Sequence, residues 1–447
     1  MQSVRGALKG LRKFYVLRGV LDSTDNNRCP ALSARSRHSL RRPPVLETDA
    51  AIRLARGSES AMISASKRAF RERNIESCRR AQGAGPLVCT MNSDAMRIVK
   101  PTAVTPAWIN EALERKGIRA TVKDLTIETV GTGQLGETRR FHLQYAGARP
   151  DDAPATLVGK FPSDDETAAN SGKELGFYRA ELMFYRELAH RTEINTAEVY
   201  VAELNDNNDF VLLLEDLAPA VQGDHMQGCS VEQARLALNE AALLHAPFWN
   251  NKELEQQPWL YIPDGAQGFY TTELLESSWQ HYRKTYGDKS DPQVITLCDK
   301  FVRNHAGWNT PRLVNRCYSH NDFRVDNMLF GGERVAVVDW QTANYLGSGM
   351  DVAYFIGSAF DRDTRRAVER DLLLEYHADL LARGVTNYSF DELMNDYRHY
   401  TFAVLVVAIA ATVIVKQTER GDHLFMKMVT DGAYQALDND ALDVLGN

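Results

Sequence analysis

The chain of 447 residues has no C-x-x-C pair among its six cysteines, at positions 29, 78, 89, 229, 298 and 317. That density excludes a disulfide scaffold, and the spacing gives a thiolate zinc site no starting point. A reducing compartment, hence a cytoplasmic location, is the expectation. No run reaches the roughly 18–20 apolar residues that a bilayer span needs. The nearest approach, Phe402 to Val415, ends after 14 residues at Lys416. It reads as a buried core helix, so no integral membrane segment is predicted. Basic excess is missing from most of the chain as well. Residues 1–90 carry 18 Lys and Arg against 7 Asp and Glu, whereas the remainder carries 34 against 52. So acidic a body is poorly suited to neutralising a phosphate backbone, and no nucleic-acid partner is expected; protein partners stay open. What is present, 44% hydrophobic and 25% charged residues, is ordinary globular composition.

Residues 1–95 are a different material from the rest. Stretches such as SARSRHSLRRPP and SKRAFRERN are rich in Arg and Ser with no sustained apolar period, which reads as a disordered or spurious basic extension. Val4, Leu8, Leu11 and Tyr15 do have helical spacing beside Arg5, Lys9 and Arg12. An amphipathic, Arg-rich start is also the mark of an organellar transit peptide, and that reading stands beside the first. Met91 and Met96 lie where the composition changes, so the folded part is expected from residue 96.

Beyond that point the order of elements is informative. Thr105-Pro106 before AWINEALERKG gives a cap, a Pro at the first helical position and a Gly stop. DLTIETV, TRRFHLQYAG and ATLVGKF alternate or run apolar as strands. Gly172 to Leu188 has helical spacing, and Phe210 to Leu214 is a short apolar strand. After Leu217 the pattern is mostly helical, with one strand-like interruption from Arg316 to Val338. Residues 96–216 are therefore expected as a strand-rich nucleotide-binding lobe and 217–447 as a helical lobe with the catalytic loop. That is an α+β, bilobal arrangement without βαβ alternation.

The loop Gly131-Thr132-Gly133-Gln134-Leu135-Gly136 matches G-x-G-x-x-G. A dinucleotide fold would place a helix after the last glycine. Here a strand follows, so strand–loop–strand points to the hairpin that covers phosphates in kinases. Lys160, in VGKF, is placed to reach ATP phosphates if a carboxylate steadies its ammonium; Glu181 on the next helix is the candidate, with Glu174 and Glu187 as alternatives. The stretch from His320 to Asn327 reads His-x-Asp-x4-Asn, and Asp339 returns 12 residues later. A hydroxyl nucleophile needs a carboxylate to orient it and accept its proton, which assigns Asp322. Mg²⁺ takes hard oxygens, which assigns Asn327 and Asp339. His320 reads as loop support. Arg324 has two readings, neutralising charge on the transferring phosphoryl or forming a salt bridge within the loop.

Taken together, these residues resemble the aminoglycoside phosphotransferase/choline kinase superfamily, and within it the ecdysteroid-kinase-like branch. Asp339-Trp340-Gln341 is similar to that branch's D-[FW]-Q, and His320-Asn321-Asp322 has Asn where most of these enzymes carry Gly. The resemblance implies a protein-kinase-like bilobal fold with an antiparallel-sheet N-lobe. LLLEDL, Leu212 to Leu217, resembles the interlobe hinge, which adds Glu215 to the cofactor-binding candidates Gly131, Gly133, Gly136, Lys160 and Glu181. Asp351 would brace the catalytic loop by analogy; a plain helix cap is the other reading.

Only 12 residues separate Asp339 from Asp351 and no A-P-E follows, which leaves no room for a peptide-docking activation segment. The insert before His320 carries Trp249, Trp259, Trp279 and Trp308 with Tyr261, Phe269, Tyr270, Tyr282 and Tyr286. These rings either line a pocket for a bulky apolar alcohol or pack helix on helix. The expectation is an ATP- and Mg²⁺-dependent phosphotransferase acting on the hydroxyl of a small molecule, with a lipophilic or steroid-like alcohol favoured. The alternatives are a weakly active pseudokinase or ligand-binding module of the same fold and, from the glycines alone, a nucleotide-dependent oxidoreductase.

Overall fold

Thr105 accepts from the Trp108 N–H at 3.3 Å and caps α1 (Pro106–Arg115), which ends before Gly117 at φ 78°. The structure is a computed structural model describing residues 95–130, 136–174, 176–257, 259–260, 270–310, 314–414 and 418–445. The basic segment up to residue 94, Gly131 and Gly133 of the glycine loop, and Tyr261 and Phe269 lie outside the described residues.

A five-stranded antiparallel sheet follows. It is formed by β1 (Val122–Thr129), β2 (Gly136–Tyr145) and β3 (Thr156–Pro162), then, after α2 (Glu166–Glu174) and α3 (Phe177–Met183), β4 (Val199–Leu204) and β5 (Phe210–Glu215). The spatial order is β1-β2-β3-β5-β4. β5 is apolar throughout because both its faces are covered. Val211 and Leu213 join Phe141, Leu157 and Phe161 under α1, while Leu212 and Leu214 face Tyr178 and Leu182 of α3. The segment expected as one helix over 172–188 begins earlier and is interrupted: Gly176 adopts φ 75°, a left-handed conformation that Gly takes without steric cost. Past Met183 the helix widens into a π turn over Phe184–Leu188. β4 had no clear sequence signal; its VYVAEL mixes apolar and polar positions because it is an edge strand on β5 alone.

From β6 (Val221–Gln222) the chain turns helical with α4 (Val231–His245), α5 (Thr272–Tyr286) and α6 (Pro292–Trp308). β7 (Arg316–Ser319), β8 (Met328–Phe330), β9 (Ala336–Val337) and β10 (Asn344–Gly347) frame the loop from His320 to Asn327. The chain then closes with α7 (Gly349–Ala359), α8 (Arg362–Ala382), α9 (Phe390–Tyr400), α10 (Ala403–Ile414) and α11 (Glu419–Asp438). Every residue of α10 but Val413 is buried. The stretch Phe390–Ile414 is long and apolar enough to cross a membrane by length and composition, yet 94% of its apolar window is buried inside the molecule. Several of the described rings of the insert are used in packing: Trp279 stacks on Tyr282 within α5, Phe301 of α6 stacks on Phe402, and Trp308 Nε1 donates to the His399 carbonyl at 2.7 Å.

Candidate active site

The loop from His320 to Asn327 leaves β7, which pairs with β10, and re-enters the fold at β8, which pairs with β6 and β9. Its path is fixed by Asp351 in the first turn of α7. That carboxylate accepts the backbone N–H groups of His320 and Asn321, both at 2.7 Å. His245 Nε2 lies 3.0 Å from the same carboxylate, and its Nδ1 lies 2.7 Å from the Tyr376 hydroxyl. All these side chains are buried. Asp351 is thus the brace of the loop, while Ser348 occupies the cap position of α7. His320 accepts the Asp322 N–H at Nδ1 (3.3 Å), so Nε2 carries the proton and donates to the Val338 carbonyl at 3.1 Å. It supports the loop, packed between Phe323 and Trp340.

Asp322 keeps a 29% exposed side chain. Its Oδ2 accepts from Asn327 Nδ2 at 2.8 Å, as does its backbone carbonyl. Arg324 donates to Asp322 Oδ1 from Nε at 2.9 Å and to Asp326 from Nη1. Burial penalises this guanidinium, but the two carboxylates outweigh it and raise it above its ordinary value. The loop ion pair is therefore the arrangement present. Asn327 is tied to the returning strand by its carbonyl, which accepts the Val338 N–H at 3.0 Å. Asp339 follows at φ 72°, and Trp340 stacks on Phe184 at 3.5 Å between ring centres.

Lys160 stands on β3 opposite Thr138 of β2 and Leu212 of β5. Its ammonium is hydrogen-bonded to Glu181 of α3 and lies 3.2 Å from Asp339 Oδ1. Of the three glutamates considered, Glu181 is the partner; Glu187 is exposed. Gln341 Nε2 approaches the second oxygen of Glu181 at 3.5 Å. Gly136 opens β2 paired with Pro162, and a Cβ there would meet the Phe161 carbonyl oxygen at 2.9 Å. The Glu215 side chain turns outward and accepts the Glu198 N–H at 3.1 Å, which leaves only its backbone on the hinge path. Beside it Asp216 is held by Arg140 of β2 at 2.6 Å and 3.2 Å.

The structure thus brings Lys160, Glu181 and Asp339 together, and separately Asp322, Arg324 and Asn327. The Asn327–Val338 backbone bond joins the two groups. Sequence reasoning passed over Asp326 and His245. Asp326 adjoins Asn327 inside the motif and could have been read as the partner of Arg324; nothing in the α4 sequence singles out His245.

A lysine clamped by a helix glutamate, facing a loop with an Asp, an Asn and a returning Asp, defines a kinase-like chain. The model of the ecdysteroid kinase-like family matches residues 135–384, more than half of the chain, and the chain belongs to that family. No curated protein matches it in sequence. Similar solved structures include choline kinase from Cryptosporidium parvum (10% identity, 71% of this chain and 91% of that one, TM-score 0.45). Ethanolamine kinase from Plasmodium vivax is another (11%, 69% and 82%, TM-score 0.43). A third is a choline/ethanolamine kinase family protein from Mesorhizobium loti (12%, 71% and 87%, TM-score 0.36). The family is small-molecule kinase-like and the architecture is α+β.

Proposed function

We infer that the chain transfers the γ-phosphoryl group of ATP to a hydroxyl of a small molecule. The observation that carries this reading is the contact of Lys160 with both Glu181 and Asp339, two strand ends away from the Asp322–Asn327 pair. A lysine steadied by two carboxylates offers its remaining N–H to phosphate oxygens. A side chain at Gly136 would strike the Phe161 carbonyl oxygen, so strand packing alone requires glycine at this end of the loop. Asp322, held at both oxygens but partly exposed, would orient the acceptor hydroxyl and accept its proton.

The donor set suits Mg²⁺. Asn327 commits its Nδ2 to Asp322, so its hard carbonyl oxygen and the Asp339 carboxylate are the groups that would hold the ion. Among the described residues no cluster of three or more His, Cys, Asp or Glu is placed to hold a metal, and two oxygen donors need phosphate oxygens to complete a shell. When bound, the ion would neutralise charge on the phosphate oxygens.

Trp279, Tyr282 and Phe301 of the insert are used in packing, so it is the ecdysteroid kinase-like family that supports a lipophilic or steroid-like alcohol as acceptor. A reducing compartment remains the proposed location. The test is incubation with labelled ATP, Mg²⁺ and a metabolite extract, with mass-spectrometric detection of new phosphate esters. Esters that appear with the wild type and vanish with D322N support the reading. Failure of ATP to bind in the presence of Mg²⁺ would overturn it.

A further inference from the structure

Arg324 lies two residues after Asp322, close enough in sequence to suggest a phosphate ligand, but its side chain is 1% exposed. Its Nε meets Asp322 Oδ1 at 2.9 Å and its Nη1 donates to Asp326. Asp326 is itself 2% exposed and is anchored from the β6 segment. Its Oδ1 accepts the His225 N–H at 2.8 Å, and its backbone carbonyl accepts from Gln222 Nε2 at 2.6 Å. Next to them Gly223 N–H donates to the Met328 carbonyl at 3.0 Å, so the segment is tied to the catalytic loop on both sides of Asn327.

A chain of carboxylate, guanidinium and carboxylate thus runs inward from the cleft. A guanidinium is planar and rigidly forked, so two carboxylates bound through Nε and Nη1 fix its plane. Fixing that plane fixes the orientation of the one carboxylate of the pair that is still in contact with solvent, Asp322. For Arg324 to reach a phosphoryl group it would have to leave Asp326 buried and unpaired, which is strongly unfavourable.

We propose that Arg324 is a positioning residue and not a phosphate ligand, and that Asp326, anchored on the backbone of His225, is the fixed end of a device that aims the Asp322 carboxylate. The kinetic consequence rests on the phosphotransferase reading above; the geometry does not.

The double variant R324M/D326L removes both buried charges at once, so neither is left unpaired, and the one donor it strands is the His225 N–H. With MgATP as substrate and water as acceptor, kcat is expected to fall by roughly 10–100-fold while KM for MgATP stays within about twofold, because positioning and not binding is lost. In a D322N background the same pair of changes is expected to lower kcat no further, since their effect passes through the missing carboxylate. D326N, which frees the guanidinium, is expected to lower kcat; an equal or higher kcat would be the behaviour of an arginine acting on phosphate and would overturn the proposal. Additive losses in the D322N background, or weakened MgATP affinity in the double variant, would overturn it too. A crystal structure of the double variant decides without any turnover. A rotated Asp322 carboxylate supports the proposal and an unmoved one defeats it, whereas a wild type that binds no MgATP defeats the phosphotransferase reading instead.

Discussion

The lysine clamp and the loop brace are built differently. At the clamp, Lys160 and Asp339 keep 11% and 14% of their side chains exposed, and Asp322 on the loop keeps 29%. At the brace, His245 and Asp351 are fully buried and their hydrogen bonds go to backbone N–H groups and a tyrosine hydroxyl. Groups that must meet a ligand retain some water and can exchange it for phosphate or hydroxyl oxygens. Groups that hold backbone have no water to fall back on. Their removal leaves polar atoms stranded in the interior. Variants on the exposed side should therefore lose chemistry, and variants on the buried side should lose stability.

The sharpest test on the exposed side is Asp322→Asn. The amide keeps the shape and its oxygen can still accept from Arg324, but its NH2 meets the Asn327 Nδ2 donor where Asp322 offered an acceptor oxygen, and it cannot accept a proton. Turnover is expected to fall by roughly 10²–10⁴ with MgATP affinity by calorimetry and melting temperature nearly unchanged. Unaltered turnover would take Asp322 out of the mechanism. The mirror experiment on the buried side is Asp351→Ala, which strands two backbone donors and His245. Urea unfolding should show a loss of about 3–5 kcal/mol. A loss below about 1 kcal/mol, the net worth of one ordinary hydrogen bond, would mean that the brace is not the distinct region described.

Acidity offers a third way to separate the regions. His225, behind the catalytic loop, is held down to about 3 by burial first and then by the Arg324 and Lys427 charges; among the described residues its ring nitrogens have no hydrogen-bond partner. His305, in the helical core of α5 and α6, is held at about 4 by burial. Both folded values lie below the ordinary value near 6.5. The unfolded chain therefore takes up protons first as pH falls. The stability these neutral rings contribute is present above about 6.5 and is lost progressively toward about 4 for His305 and about 3 for His225, at up to about 1.4 kcal/mol per pH unit for each histidine. Denaturant melts at pH 7 and pH 5 should differ accordingly, and His305→Gln should shrink the difference. A flat profile would show that these rings are reached by water.

Much of this architecture was legible because periodicity and local chemistry coincided. Thr105-Pro106 capped α1, the alternation of TRRFHLQY gave β2, and the order of lysine, glutamate and His-x-Asp-x4-Asn loop marked the candidate site. The lysine–glutamate half of the clamp was readable because Lys160 on β3 and Glu181 on α3 are only 21 residues apart. Of the brace only Asp351 was readable, through the family resemblance; His245 lies 106 residues from it and Tyr376 131 residues from His245, and they meet only through tertiary packing. The same limit hid β4, β6 and β10, which are short or sit at a sheet edge, where one-sided burial leaves no strong pattern. The insert's aromatic rings could be read as pocket or as core, because composition does not say which way a ring points.

Asn321 shows a sequence departure that the backbone explains, and it yields the smallest predicted effect. Most of the phosphotransferases that this chain resembles carry Gly here, and the reason is visible: the residue sits at φ 63°. That left-handed conformation is open to Gly and, among residues with a Cβ, is best tolerated by Asn and Asp. Its Nδ2 donates to the Thr342 carbonyl at 2.9 Å, while its buried Oδ1 finds no hydrogen-bond partner among the described residues. A gain and a penalty thus sit on one side chain. Asn321→Gly removes both and relaxes the backbone, so its stability should stay within about 0.5 kcal/mol of wild type, with turnover retained. Asn321→Val keeps no hydrogen bond and forces a β-branched residue into the left-handed region, at a cost of about 1–3 kcal/mol. If valine were tolerated as well as glycine, the turn before Asp322 would have to relax out of its left-handed form. The partly exposed Asp322 carboxylate would then depend less on the buried brace than the hydrogen bonds donated to Asp351 by the N–H groups of residues 320 and 321 imply.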